Sequence, residues 1–381
     1  MHVSLSIQDL SAWCGRHGAP YYPIASEDVI FTTHRKIESR WNRSPVEFVA
    51  YGRSRVFCGR LDNACLVGSN AAFVTDDQVL ICHGITHRDY DVWYHLQREL
   101  VTPGQTSCIL DLQPPETTVE EECVYFGGSP NYGHFQFEHL SRLAVIASVR
   151  RCRELRLAVY DDTPERFLDF LLLAGYPRDK LVFIPRGNAV RFRQLWVPSC
   201  PFYRDRDGRS HVYPAAYHYL RWAMSTGLRF DRARPRPRIY FSRHGAGHRR
   251  CVNESGLLTL LEARGFQVMD PVKLTPQEQL EIVSNGEIIV GPIGAATAMT
   301  LFAPEDCAII ELLPSRDIGG IYNSIGPAHW LGQPYHRIIG RRVRLGDNER
   351  ESPLYHDFEV DLEEVRHAVD LAIEDISNRG R

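Results

Sequence analysis

Two patterns of apolar and polar positions succeed one another along the chain. Between Val46 and Ile85 the apolar runs are short, as in Val46-Glu47-Phe48-Val49 and Ala71-Ala72-Phe73-Val74, and they are broken by Gly52, Gly59, Gly68 and Asp76-Asp77. That spacing predicts a small β-meander. From Leu155 the apolar runs alternate with stretches of helical length: Leu155 to Val159 as a strand, a helix begun at Thr163-Pro164 and stopped by Gly175, then Leu181 to Ile184 as a second strand. A strand, helix and strand in that order predict a βαβ unit and therefore parallel pairing.

Prolines and an Asp-Gly pair crowd the stretch Pro198 to Arg238, which places the change of domain there. Afterwards the alternation resumes. Strands are predicted at Arg238 to Phe241, Phe266 to Met269, Glu287 to Val290 and Ala308 to Leu312. Helices are predicted at Asn253 to Arg264, Pro276 to Asn285 and from about Ala295. The start at Pro276 has three supports: Thr275 as cap, Pro276 in the first position, and Glu278 completing a capping box. Near the end, Leu362, Val365, Val369 and Ile373 form one apolar stripe behind Asp361, which predicts a final helix.

Composition adds bounds rather than identity. A chain of 381 residues is long enough for two cores, and 44% hydrophobic with 24% charged residues is ordinary for a globular protein. A formal net charge of −3 gives no global attraction to nucleic acid or membrane, so the Arg-rich stretch Arg232 to Arg250 points to a local anion site. No apolar run of membrane-spanning length and no secretory leader is visible, which leads to the expectation of a cytoplasmic protein. The ten cysteines are scattered without a C-x-x-C pair and are expected to be reduced and buried.

Three segments could carry chemistry. Ile288-Ile289-Val290-Gly291-Pro292-Ile293-Gly294-Ala295 is an apolar strand entering a tight turn and a helix start, where free amides can meet a phosphate. Arg238-Ile239-Tyr240-Phe241-Ser242-Arg243, followed by Arg249-Arg250 and Asn253, brings guanidinium donors to a strand end. In Asn131-Tyr132-Gly133-His134 through Arg142, a helix starting near Gly133 would stack His134, Glu138 and Arg142 on one face, an imidazole beside a carboxylate that could serve as general base. The D-x-D patterns Asp89-Tyr90-Asp91 and Asp205-Arg206-Asp207 follow no apolar strand and are set aside as metal sites, as is the pair His83 and His87.

These residues resemble family 61 glycosyltransferases. The matching text runs from Tyr240-Phe241-Ser242-Arg243 through Arg249-Arg250-Cys251-Val252-Asn253-Glu254, Gly265-Phe266, Gln279 and Val290-Gly291-Pro292-x-Gly294-Ala295 to Phe302-Ala303-Pro304 and Glu311, with Asn131 to His134 and Glu138 upstream. One position departs: the family usually has a histidine where this chain has Ile293.

The resemblance implies an α/β, GT-B-like fold of two facing Rossmann-like domains, here with a β-rich N-terminal elaboration and a C-terminal helix. The expected boundaries are 1–200 for the acceptor side, 201–358 for the nucleotide-sugar side and 359–381 for the closing helix. It implies an inverting, metal-independent glycosyltransferase with no cofactor, moving a sugar from a nucleotide-sugar to a saccharide or lipid-linked saccharide acceptor. Bacterial surface polysaccharide synthesis is the expected setting, and attachment at the inner face of the membrane would follow from a lipid-linked acceptor. His134 or Glu138 would take the acceptor's proton. Asn131, Ser242, Arg243, Arg249, Arg250, Asn253, Gln279, Gly291, Gly294, Ala295 and Glu311 would bind the nucleotide-sugar, with Arg243 and the Gly294-Ala295 turn on the diphosphate and Glu311 on the ribose. The alternative expectation is a sugar- or nucleotide-binding relative without transfer.

Overall fold

The structure, a computed structural model, describes residues 1–26, 28–35, 46–53, 55–86, 92–204, 210–225, 236–314, 325–343 and 356–379. Both D-x-D patterns and His87 lie outside these residues, as does Arg232. The chain divides into two compact units, Met1–Ile30 with Tyr51–Ala223, and Phe31–Ala50 with Met224–Arg381.

The first unit is built on one twelve-stranded mixed sheet. Its meander consists of Val56–Val67, Ala72–Thr75 and Val79–Ile81, paired antiparallel in sequence order. The run at Val46 is a strand, Val46–Arg53, but its end pairs with Ser210–Val212 in a separate sheet. The expected βαβ unit is present. Strands Arg156–Tyr160 and Leu181–Ile184 are parallel, and between them lie helix Glu165–Leu173 and Gly175 at φ 88°.

The expectation of a Rossmann-like first half needs correction, because only part of this sheet is parallel. Strand Val190–Pro198 runs parallel to Cys123–Gly127 on one side and antiparallel to Val56–Val67 on the other. It therefore splices the parallel strands to the meander, and twelve strands share one sheet. Phe57, Phe73, Tyr125, Tyr160 and Phe192 fill the core on one face of it, each 1% exposed or less.

The second unit contains a five-stranded sheet in which every neighbouring pair is parallel. Across the sheet the strands are Phe266–Met269, Arg238–Phe241, Ile288–Pro292, Ala308–Leu313 and Tyr335–Ile339. Numbered along the chain, that order is 2-1-3-4-5, a doubly wound arrangement. Helix Glu254–Glu262 precedes Gly265 at φ 76°, and helix Pro276–Val283 begins with the expected capping box between Thr275 and Glu278. The segment expected to be an α-helix from Ala295 is instead a 3₁₀ helix, Ala295–Phe302. Its tighter winding puts Thr297 Oγ within 2.7 Å of the Gly294 carbonyl, to which it donates. The closing helix Leu362–Arg379 starts where Asp361 accepts from the amide of Glu363 at 2.9 Å, and Val365, Ala368, Val369 and Ala372 bury its apolar stripe.

Candidate active site

In a doubly wound sheet, ligands bind beyond the carboxyl ends of the strands where the strand order reverses. Here that point lies between the first and third strands, Arg238–Phe241 and Ile288–Pro292. The two anion-site candidates read from the sequence are continuations of these neighbouring strands. Gly291 lets the two strands pack closely, since a Cβ there would stand 3.0 Å from Phe241 Cβ. At Gly294 a Cβ would overlap the guanidinium of Arg243 and lie 2.9 Å from its Cζ, so any side chain there would displace the arginine head group.

Arg243 is the electrostatic centre of this cluster. Its Nη2 donates to the His248 carbonyl at 3.2 Å, its buried Nε has no partner, and it forms no ion pair among the described residues. Burial, followed by the nearby charge of Arg249, lowers its pKa to about 10, so it stays positive at neutral pH. A cation placed this way favours an anionic ligand, which would offset its desolvation and the repulsion from Arg249.

The neighbouring residues divide by what their side chains touch. Glu254, 7% exposed, accepts from Tyr240 at 2.8 Å and from Ser242 at 3.0 Å, and this fixes the strand end beside Arg243. Arg249 adopts φ 58°, and its Nη2 lies 3.2 Å from His248 Nε2. Arg250 clasps Asp357 through backbone and side chain at 2.6 to 2.9 Å, while Asn253 brackets the amide and carbonyl of Val360. Those two hold the 357–360 segment. Gln279 is tied to the carbonyls of Pro271 and Leu274.

Glu311 sits inside its strand rather than at the end, opposite Gly291, is 1% exposed, and accepts from Tyr335 at 2.6 Å. Ala295 opens the 3₁₀ helix. Ile293, in the departing position, is 3% exposed and packs on Leu313.

The first unit holds the other candidate segment. Strand Cys123–Gly127 ends in Gly127 and Gly128, at φ 83° and 139°, and the chain turns into a helical rod at Tyr132. Asn131 caps the rod by accepting from the amides of Gly133 at 3.0 Å and His134 at 3.3 Å. The rings of Tyr132 and Phe135 lie 5.0 and 5.2 Å from Phe167, which anchors the start on helix Glu165–Leu173.

His134 Nδ1 meets Glu138 Oε1, as the spacing predicted. The carboxylate is nearly enclosed and the imidazole partly exposed, with side-chain exposures of 2% and 29%. Arg142 does not continue the stack. Residues Phe135–Leu140 form a π-helix, whose wider turn breaks the four-residue register. Arg142 is fully buried, donates to the carbonyls of Phe126 and Ile85, lies 3.0 Å from His139 Nδ1 and covers the Tyr125 ring.

His139, also buried, was missed in the sequence. Its Nδ1 accepts from the Gly128 amide at 3.0 Å and from Arg142, which fixes the neutral tautomer protonated on Nε2. Burial, then the Arg142 charge, holds its pKa well below the histidine range. The signal that could have found this latch was Gly127-Gly128 directly after an apolar strand, the same signal that singled out Gly291 and Gly294.

Residues 132–310 match the family model for glycosyltransferase 61. Over those residues the chain is similar to the glycosyltransferase 61 family. The match takes in His134 and Glu138 as well as Arg243, Gly291 and Gly294. No curated protein matches the chain. Among solved structures, the iron-containing dodecameric heptosyltransferase TibC in complex with ADP-D-beta-D-heptose is similar at 11% identity and a TM-score of 0.34, covering 73% of this chain and 81% of that one. TibC from enterotoxigenic E. coli H10407 gives 11% identity, a TM-score of 0.33 and the same coverage.

Proposed function

We propose that this chain is a family 61 glycosyltransferase that carries out inverting, metal-independent transfer from a nucleotide-sugar to a saccharide acceptor. On this reading the second unit carries the residues that hold the donor diphosphate, and the first carries the candidate proton acceptor. The observation that carries the reading is Arg243: a largely enclosed guanidinium with no carboxylate partner among the described residues, pressed on a glycine turn at the strand-order reversal.

As the bond to the sugar breaks, charge gathers on the departing diphosphate, and Arg243 together with the amides of the Gly294 turn stabilises it in place of a metal. The acceptor hydroxyl loses its proton to His134, whose ring Glu138 orients through Nδ1. Of the two candidate bases, the imidazole is the one that reaches solvent, and the enclosed carboxylate serves to position it. Bacterial surface polysaccharide synthesis in the cytoplasm is the setting we propose. No helix among the described residues is long and apolar enough to cross a membrane.

A thermal-shift screen of nucleotides and nucleotide-sugars tests the donor site, because a ligand that binds only the folded chain raises its melting temperature. At least one diphosphate ligand should stabilise the wild type and not Arg243→Ala. Stabilisation of both to the same degree would remove Arg243 from the site. Transfer should persist in EDTA, and loss of activity restored by magnesium or manganese would overturn the metal-free mechanism.

A further inference from the structure

A second concave surface lies wholly in the first unit, on the side chains that follow the catalytic rod. Helix Pro214–Ser225 buries Ala216, Tyr217, Leu220 and Ala223, which leaves Tyr219 and Trp222, three residues apart, on another face. Their rings lie 5.7 Å apart at 49° to one another, and Trp222 is 63% exposed. With the small side chains of Ala144, Ala147 and Ala215, and with Tyr213, they line a cavity of about 370 Å³. That volume falls within the range of about 300–1,000 Å³ usual for ligand pockets.

A further cavity of about 180 Å³ continues from it, sharing Ala147, Arg153 and Tyr219 and reaching Tyr176 and Lys180. Among the described residues neither cavity has an acidic side chain in its lining. Arg153 has no hydrogen bond or ion pair among the described residues, and the Tyr219 hydroxyl has no hydrogen-bond partner among them.

We infer that this groove binds an anionic saccharide, a sugar chain carrying carboxylates. The aromatic faces suit the apolar C–H faces of sugar rings, and the phenolic hydroxyls suit their polar edges. Arg153 offers a planar fork matched to a carboxylate, with Lys180 as a second positive charge beyond it. Ala144 and Ala147 belong to helix Arg142–Ser148, which extends the rod bearing His134. At about 1.5 Å per residue, Ala147 lies about 20 Å along that rod from His134, a span for several sugar units rather than one. The groove thus acts as a remote acceptor subsite, and only the word acceptor rests on the transferase reading. Binding energy gathered there would help a long acceptor and leave a short one unaffected.

The test is calorimetric titration of the whole chain with tetragalacturonate and, in parallel, with maltotetraose, its uncharged counterpart in length. Tetragalacturonate should bind, more weakly as salt is raised, and maltotetraose should bind at least tenfold more weakly. Trp222→Ala and Arg153→Ala should each lower tetragalacturonate affinity at least tenfold with an unchanged circular dichroism spectrum. Arg243→Ala should leave it intact.

Absence of tetragalacturonate binding, or equal binding by wild type and both groove variants, overturns the proposal while leaving the nucleotide-sugar thermal shift and transfer to a short acceptor untouched. Sedimentation with phosphatidylglycerol vesicles that depends on Trp222, without saccharide binding, overturns it in favour of a membrane contact.

Discussion

The guanidinium of Arg243 occupies the space that a side chain at position 294 would need. Gly294 has an extended backbone, φ 173°, so its absent Cβ rather than an unusual conformation is what matters. Gly294→Ala should therefore fold normally, since the obstructed atoms are the far end of a flexible side chain, yet it should push Arg243 from its place. We expect nucleotide-sugar affinity to fall about tenfold, equivalent to about 1.4 kcal/mol, with the melting temperature of the unliganded chain little changed. Unaltered affinity would show that Arg243 need not be where it lies.

The pairing of His134 with Glu138 predicts different consequences for the two side chains. His134→Ala should lower turnover by on the order of a hundredfold. Glu138→Gln, which keeps the shape but loses the charge that orients the ring, should also lower kcat while leaving the nucleotide-sugar thermal shift in place. Full turnover in both variants would move the base elsewhere.

Gly127 and Gly175 both have positive φ, 83° and 88°, but only one is hemmed in. A Cβ at Gly127 would fall 2.7 Å from His139 Nδ1 and 3.0 Å from Arg142 Nη1, whereas at Gly175 nothing lies within 4 Å. Gly175→Ala should cost about 1–2 kcal/mol of backbone strain. Gly127→Ala should exceed it, because both obstructing groups are buried and bonded. Urea unfolding of the two variants makes the comparison, and equal losses would mean that the His139 latch yields freely.

His139 gives the fold a pH dependence whose sign can be worked out. It is held neutral in the folded chain, while in the unfolded chain it titrates near its ordinary value of about 6.5. Above that pH neither state binds the proton. Below it the unfolded state binds more protons than the folded one, so stability declines as the pH falls, by at most about 1.4 kcal/mol per unit. Urea midpoints measured from pH 7.5 to 5.5 should fall more steeply for the wild type than for His139→Gln, and parallel curves would exclude His139 as a source.

Much of this architecture is legible in local sequence signals. Thr275, Pro276 and Glu278 specify a helix start with side chains only three residues apart, and the structure makes both capping bonds. The alternation between Arg238 and Leu312 specifies a parallel sheet because each helix must cross over. What eluded sequence reasoning depends on distant partners. Nothing near Val190 states that its strand will bind Cys123–Gly127 on one edge and Val56–Val67 on the other, and that junction turned an expected Rossmann-like half into a mixed sheet.

Nor does Arg142 reveal in its own neighbourhood that it will be drawn to the carbonyls of Phe126 and Ile85. Arg250 and Asn253 resemble ligand donors in an Arg-rich loop. They hold Asp357 and Val360, more than a hundred residues later in the chain.

The wide turn over Phe135–Leu140 holds one residue more than ordinary winding would need to cover the same sweep. Deleting one residue there would let the coil relax into an α-helix with Asn131 and His134 still aimed much as they are. The same deletion in the regular winding of Arg142–Ser148 would instead turn one side of the rod by about 100° against the other. A deletion scan along this coil should therefore find tolerance at the wide turn and loss of function beyond it.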